Sequence, residues 1–103
     1  GTLVGLAHLL TGTTDFDQIM DLAKKGDNAG VDFQVRDIYG DSNPFGDTLK
    51  GDRIASSFAK VANDEDTPVE RLESAYKKED ILSSLLIMIS YNIALIACFT
   101  AYQ

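Results

Sequence analysis

Apolar residues cluster in three places along this chain, and each cluster has its own pattern. Leu3 to Leu10 is a run of small and apolar residues behind Gly1, interrupted by Gly5 and His8, which predicts a buried helix starting at or just after Thr2. Thr11-Gly12-Thr13-Thr14 breaks it. Phe16, Ile19, Met20 and Ala23 then recur at helical spacing. Thr14 offers an N-cap oxygen to this second helix, with Asp15 and Asp17 in the first turn. Lys24 and Lys25 fall in the last turn and Gly26 ends it, so both helix ends carry charges that suit the dipole.

The middle of the chain is more polar. Asp27-Asn28-Ala29-Gly30 reads as a turn. From Val31 to Tyr39 two periods overlap. Val31, Phe33 and Val35 alternate as in a strand, while Val31, Val35 and Ile38 share a helix face; a short helix is preferred and both stay open. Gly40 to Gly51 is rich in Gly, Asp, Asn and Pro and is expected to be a loop. A short helix is expected from Ile54 to Val61, then an acidic loop from Ala62 to Pro68. Thr67 is placed to start a helical turn running to Tyr76, with Pro68 at its first position.

The third cluster is the longest. Ile81 to Gln103 contains 23 residues and no charge, with Lys78, Glu79 and Asp80 just ahead of it. As a helix it would be roughly 35 Å long, which meets the length criterion for a membrane span. Ser83, Ser84, Ser90, Tyr91 and Asn92 place polar groups along it, and no Lys or Arg follows it to fix an orientation. The residues alone leave open a membrane span and a helix buried in a soluble protein, and favour the second. A helix apolar all round must lie between other elements or against a partner chain.

Composition narrows the function classes. With 103 residues and 45% hydrophobic content, the chain has the composition of one small folded domain. A formal charge of −7 makes it a poor partner for nucleic acid or anionic lipid. Backbone N–H groups at a helix start could still bind a phosphate. The single cysteine, Cys98, allows no internal disulfide and is expected to pack as a small hydrophobe. One cysteine and no signal-peptide pattern give an expectation of a cytoplasmic location.

Candidate chemistry is sparse. Gly1-Thr2 ahead of a helix suits a phosphate: glycine permits close backbone approach, and a hydroxyl and free N–H groups can bind the oxygens. Two residues alone also fit an ordinary helix start. Asp15, Asp27, Asp32 and Asp37 are acidic candidates for a general base, but capping, turn formation or solvation accounts for each of them.

Several strings in order add up to more. Gly1-Thr2, two residues, then Gly5-Leu6; Leu9-Leu10-Thr11-Gly12 and Phe16; Ala23-Lys24-Lys25-Gly26-Asp27; Val31-Asp32; Val35-Arg36-Asp37-Ile38-Tyr39-Gly40; Gly51 and Ala55-Ser56-Ser57-Phe58; Lys78-Glu79-Asp80; and Asn92-Ile93 resemble, in this order, the type II (eukaryotic-like) pantothenate kinase family. The resemblance covers essentially the whole chain. It implies a helical portion of an α/β sugar-kinase/actin-like (ribonuclease H-like) fold, seen here as mainly α. Residues 1–103 would be one partial domain, a fragment of the C-terminal lobe.

The family transfers the γ-phosphoryl of ATP to the primary hydroxyl of pantothenate, the first step of coenzyme A biosynthesis. The resemblance assigns Gly1, Thr2, Leu3, Val4 and Phe16 to the ATP site, although for Phe16 taken alone core packing is the preferred reading. It assigns Ile54 and Ala55 to the pantothenate pocket of a neighbouring subunit across a homodimer interface. It also implies ATP with Mg²⁺, an acyl-coenzyme A feedback inhibitor, and neither nucleic acid nor membrane as partner. The family's general base, phosphate hairpin and magnesium site match no residue of this chain, so no catalytic or metal residue is assigned and the chain alone is expected to be inactive. The last helix would pack in the interior and interface region, leaving an isolated chain with exposed apolar surface.

Four positions depart from the family pattern: Ala59 and Ala94 stand where it has glycine, Tyr91 stands at the first asparagine of Asn-Asn-Ile-Gly, and Asp41 stands at the second glycine after Ile-Tyr. Alanine closes off positive φ and very close backbone approach. These departures keep open a non-catalytic family member that binds nucleotide or coenzyme A. A small membrane protein with one C-terminal helix is a further alternative.

Overall fold

The order of elements follows the three apolar clusters. In a computed structural model describing residues 1–40 and 50–101, the elements are α1 (Thr2–Thr11), α2 (Phe16–Lys25), a 3-10 turn (Asn28–Gly30), β1 (Phe33–Gln34), α3 (Val35–Tyr39), β2 (Ile54–Ser56), α4 (Ala59–Ala62), a second 3-10 turn (Val69–Arg71), α5 (Leu72–Ala75) and α6 (Lys78–Ala101). The described chain is mainly helical, with one antiparallel pair, β1 with β2. Most of the expected loop from Gly40 to Gly51, including Asp41, lies outside the described residues.

The core forms where α1 and α2 meet the first half of α6. Ala7, Ile19, Ala23, Leu82 and Leu85 are buried together, and Leu3, Val4, Leu6, Leu22, Phe58, Ile81, Leu86 and Met88 pack around them. Burial in α1 is one-sided, because Leu9 and Leu10 face outward. The helix expected to be buried is therefore a surface helix with Ala7 and Thr11 as its buried contacts. It ends at Gly12, whose φ of 74° suits glycine. The second helix starts one residue later than expected: Asp15, not Thr14, is the N-cap, accepting from the Gln18 N–H at 3.2 Å.

Both periods between Val31 and Tyr39 are used, in succession. Phe33 and Gln34 are extended and pair with Ser56 and Ile54, with an irregular register between them. Val35 and Arg36 then donate their N–H groups to the carbonyls of Arg53 (2.8 Å) and Gly51 (2.9 Å), and α3 begins on the same residues. Asp37 holds this helix start by accepting from the Gln34 N–H at 2.7 Å. The expected helix from Ile54 to Val61 is instead strand β2 followed by a single helical turn, α4. The cause is that strand pairing claims residues 54–56 before any helix can start. Phe58 forms the hinge between the two, with a left-handed φ of 60°.

Pro68 precedes the 3-10 turn as its N-cap rather than occupying the first helical position. The last helix is as long as expected, and much of it is uncovered, as expected of an isolated chain. Leu82, Ser83, Ser84 and Leu85 are buried, whereas every residue from Ser90 to Ala101 is exposed, Cys98 included. By length and composition this helix could cross a membrane, and 22% of its most apolar window is buried. The protruding half also accounts for a radius of gyration of 15.3 Å, against about 13 Å for a compact chain of this size.

Candidate functional site

The expected nucleotide residues sit at the start of α1 and α2. Gly1 precedes α1 with no side-chain cap, and its carbonyl accepts the first intrahelical bond, from Gly5 N–H at 3.0 Å. That leaves the earliest N–H groups of α1 directed toward the helix start, as an anion site requires. Gly1 and Thr2 are exposed, while Leu3 and Val4 turn partly into the core. Phe16, at the first position of α2, is 55% exposed and stays outside the core cluster.

Ile54 and Ala55 lie elsewhere. They line an open groove of about 670 Å³ between β2 and the middle of α6. Arg53, Ile54 and Ala55 form one wall, and Ile87, Met88 and Tyr91 of α6 form the other, with Asn28, Asp52, Ser56 and Ser57 at the edges. None of Gly1, Thr2, Leu3, Val4 and Phe16 lines it. Among the described residues the two sets of expected site residues are thus not brought together in this groove.

A buried carboxylate holds this wall in place. Asp32 has no exposed surface. One oxygen accepts from the Phe58 N–H (2.8 Å) and the Ser84 hydroxyl (2.6 Å), and the other from the Asn28 side-chain amide (2.9 Å). Burying a carboxylate is costly unless it is hydrogen-bonded, and these three donors come from the first 3-10 turn, the β2–α4 hinge and α6. Asp32 thus ties the strip that carries Ile54 and Ala55 to the helix that faces it. It is a positioning group, and the general-base reading does not suit a side chain closed off from substrate.

Two glycines allow the neighbouring loop to approach α6. A Cβ on Gly26 would lie 2.0 Å from the Glu79 carbonyl oxygen. A Cβ on Gly30 would lie 2.4 Å from an Asp80 carboxylate oxygen, and Asp80 also accepts from the Asp27 N–H at 2.9 Å. Lys60 donates to the Ala29 carbonyl and lies 3.7 Å from Asp37, joining α4 to α3 and the same loop.

Two strong electrostatic perturbations lie away from the groove. The Tyr76 hydroxyl donates to Asp64 at 2.5 Å. That bond, with bonds from Thr67, holds the Asp64 carboxyl down at about 2, and the same bond pushes the Tyr76 phenol up to about 12. This pair closes the acidic loop and is structural. Among the described residues no group of three or more His, Cys, Asp or Glu could hold a metal ion. The donor set does not suit magnesium, and no step through that ion is assigned to these residues.

The glycine-to-alanine departures are accommodated locally. Ala59 is the first residue of α4 and Ala94 is inside α6, both helical positions where a Cβ needs no positive φ. Arg53 and Asn28 are groove residues that the motifs do not single out, since they join Tyr91 only when β2 meets α6. For Asp32 the signal was available: a carboxylate between Val31 and Phe33 must either be exposed or be paired.

Comparison with known proteins supplies the family. A pantothenate kinase from Schizosaccharomyces pombe is 47% identical over 106 residues, covering 100% of this chain and 25% of that protein. Pantothenate kinase 1 of rice (Oryza sativa subsp. japonica) is 42% identical over 101 residues, covering 98% of this chain and 14% of the relative. A mouse (Mus musculus) protein named 4'-phosphopantetheine phosphatase is 43% identical over 102 residues, covering 98% and 11%. The chain spans between 11% and 26% of the length of the curated relatives compared. The Fumble family profile matches residues 1–103. The order of motifs, the profile match and these relatives agree: this chain belongs to the Fumble family, that of the eukaryotic pantothenate kinases.

Proposed function

We propose that this chain is a segment of an ATP-dependent pantothenate kinase, a partial domain from the C-terminal lobe of a sugar-kinase/actin-like fold. Its parent transfers the γ-phosphoryl of ATP to the primary hydroxyl of pantothenate in the cytoplasm. The family match along the whole chain carries this reading. Phosphoryl transfer depends on positioning and charge stabilisation, and this segment contributes to positioning in two places. The start of α1, with Gly1, Thr2, Leu3 and Val4, faces nucleotide phosphates through backbone N–H groups, and Phe16 stands beside the nucleotide. Ile54 and Ala55 form the lip of a pantothenate pocket completed by the partner subunit of a homodimer.

Two observations support the shared pocket. Among the described residues, those expected at the nucleotide do not line the groove that holds Ile54 and Ala55. The exposed half of α6 offers Tyr91, Ile93, Ile96 and Phe99 to a partner, and Tyr91 is also a groove wall. Magnesium and the general base come from elsewhere in the parent, and acyl-coenzyme A is its feedback inhibitor. The experiment is ATP-dependent phosphorylation of pantothenate by the purified parent protein. Turnover that stops on omission of ATP or pantothenate supports the reading; a folded, nucleotide-binding parent with no turnover contradicts it.

The second reading is a family member without kinase activity that binds nucleotide or coenzyme A. The observation that favours it is the mouse relative named as a phosphatase, which is as similar to this chain as the kinases are. The alanines at 59 and 94 add nothing to it, because both positions are helical.

A further inference from the structure

The geometry points to Arg53 as the residue that recognises the carboxylate end of the substrate in the β2–α6 groove, selecting the acid over its neutral analogues. This rests on the kinase reading and extends it to a residue that neither the motifs nor the relatives' names assign. Among the described residues Arg53 is the only cation lining the groove. Its backbone is fixed on both sides, with its N–H on the Lys50 carbonyl (3.1 Å) and its carbonyl accepting from Val35 N–H (2.8 Å). Among the described residues its exposed guanidinium has no hydrogen-bond or ion-pair partner. Two other cations near it are engaged: Arg36 Nε donates to the Gly51 carbonyl at 3.3 Å, and Lys60 serves Ala29 and Asp37. The anchored position at the mouth of the β-ribbon thus presents a free planar donor set to the groove, suited to a carboxylate.

The rest of the lining fits the same ligand. Pantothenate has a carboxylate at one end and a branched, dimethyl-bearing diol at the other. Ile54, Ile87 and Met88 offer apolar surface, and Ser56 and Ser57 offer hydroxyls. Asp52 lies on the same rim, without an ion-pair partner among the described residues, and opposes an anion there. Arg53 is a positioning residue: the hydroxyl that accepts the phosphoryl group is at the other end of the substrate.

The test uses the parent protein with pantothenate and its neutral N-methylamide as alternative substrates. Arg53→Gln is expected to raise KM for pantothenate roughly ten-fold, as loss of a charge-assisted bond should, with kcat changed by less than about two-fold and KM for the amide unmoved. Asp52→Asn is expected to lower KM for pantothenate about two-fold and leave the amide unchanged. Equal shifts for the two substrates, or no shift, would overturn the proposal while leaving the kinase reading intact. If the parent turns over neither substrate, the kinase reading fails on its own. Calorimetric binding of pantothenate and of the amide to the parent and the Arg53→Gln protein then decides the Arg53 proposal by the same comparison. Absence of pantothenate binding to the parent would overturn it too.

Discussion

Removal of the Asp32 carboxylate should loosen the whole β2–α6 wall, and the cost can be worked from its three bonds. Asp32→Ala leaves the Phe58 N–H and the fully buried Ser84 hydroxyl without an acceptor. Each abandoned buried donor costs about 1–3 kcal/mol. Phe58 adds to this, because the lost bond also helps hold its left-handed φ of 60°, a conformation that costs about 1 kcal/mol or more in a non-glycine residue. The sum is about 4 kcal/mol, equivalent to a roughly thousand-fold rise in local opening.

Asp32→Asn should cost about half as much. It keeps the shape, but its amide nitrogen must face either the Asn28 amide or the Phe58 and Ser84 donors. Hydrogen exchange of residues 56–62 in the parent protein reads the effect directly, with exposed Asp21→Ala as the control. If Asp32→Ala exchanged within about five-fold of Asp21→Ala, the positioning role assigned to this carboxylate would be wrong.

Three further outcomes are expected. Gly26→Ala should destabilise the parent by about 3 kcal/mol, seen as a lower thermal midpoint, because its Cβ would meet the Glu79 backbone at 2.0 Å; an unchanged midpoint would mean the loop does not lie against α6. The Asp64–Tyr76 bond should make a pH-dependent contribution with two limits. Asp64 is held below its usual 3.8, so the contribution is present above 3.8 and lost as pH falls toward about 2. Tyr76 is raised above its usual 10, so the same contribution is present below 10 and lost as pH rises through about 12. The stability difference between wild type and Tyr76→Phe should therefore be flat between those limits and shrink outside them. Phe99→Glu together with Ile96→Glu, both on the exposed half of α6, should shift the parent from dimer to monomer in sedimentation without lowering its helix content; an unchanged dimer would place the interface elsewhere.

What was legible in the sequence was mostly local. The end of α2 at Gly26, the loop after it and the long run of α6 follow from period, capping and charge, so they could be read one segment at a time. The helix expected over residues 54–61 could not, because its strand half exists through pairing with Phe33 and Gln34, some twenty residues earlier. What covers α6 could not be read for a similar reason. Lack of charge says that a surface must be covered, but not by what, and within this chain the cover ends near Met88. The resemblance points to Ile54 and Ala55, yet Arg53 and Tyr91 join them only through the packing of β2 against α6.

The central claim, that one chain supplies the nucleotide wall of its own site and the substrate lip of its partner's, is tested most directly by mixing two inactive parents. One carries Thr2→Glu, which puts a negative charge at the phosphate-facing start of α1; the other carries Ile54→Asp, which spoils the lip. A mixed dimer then holds one site with both lesions and one with neither, so random pairing should restore roughly a quarter of wild-type activity. Activity that stays at the level of the separate variants, with mixed dimers verified, would place Ile54 in its own subunit's site and contradict the account.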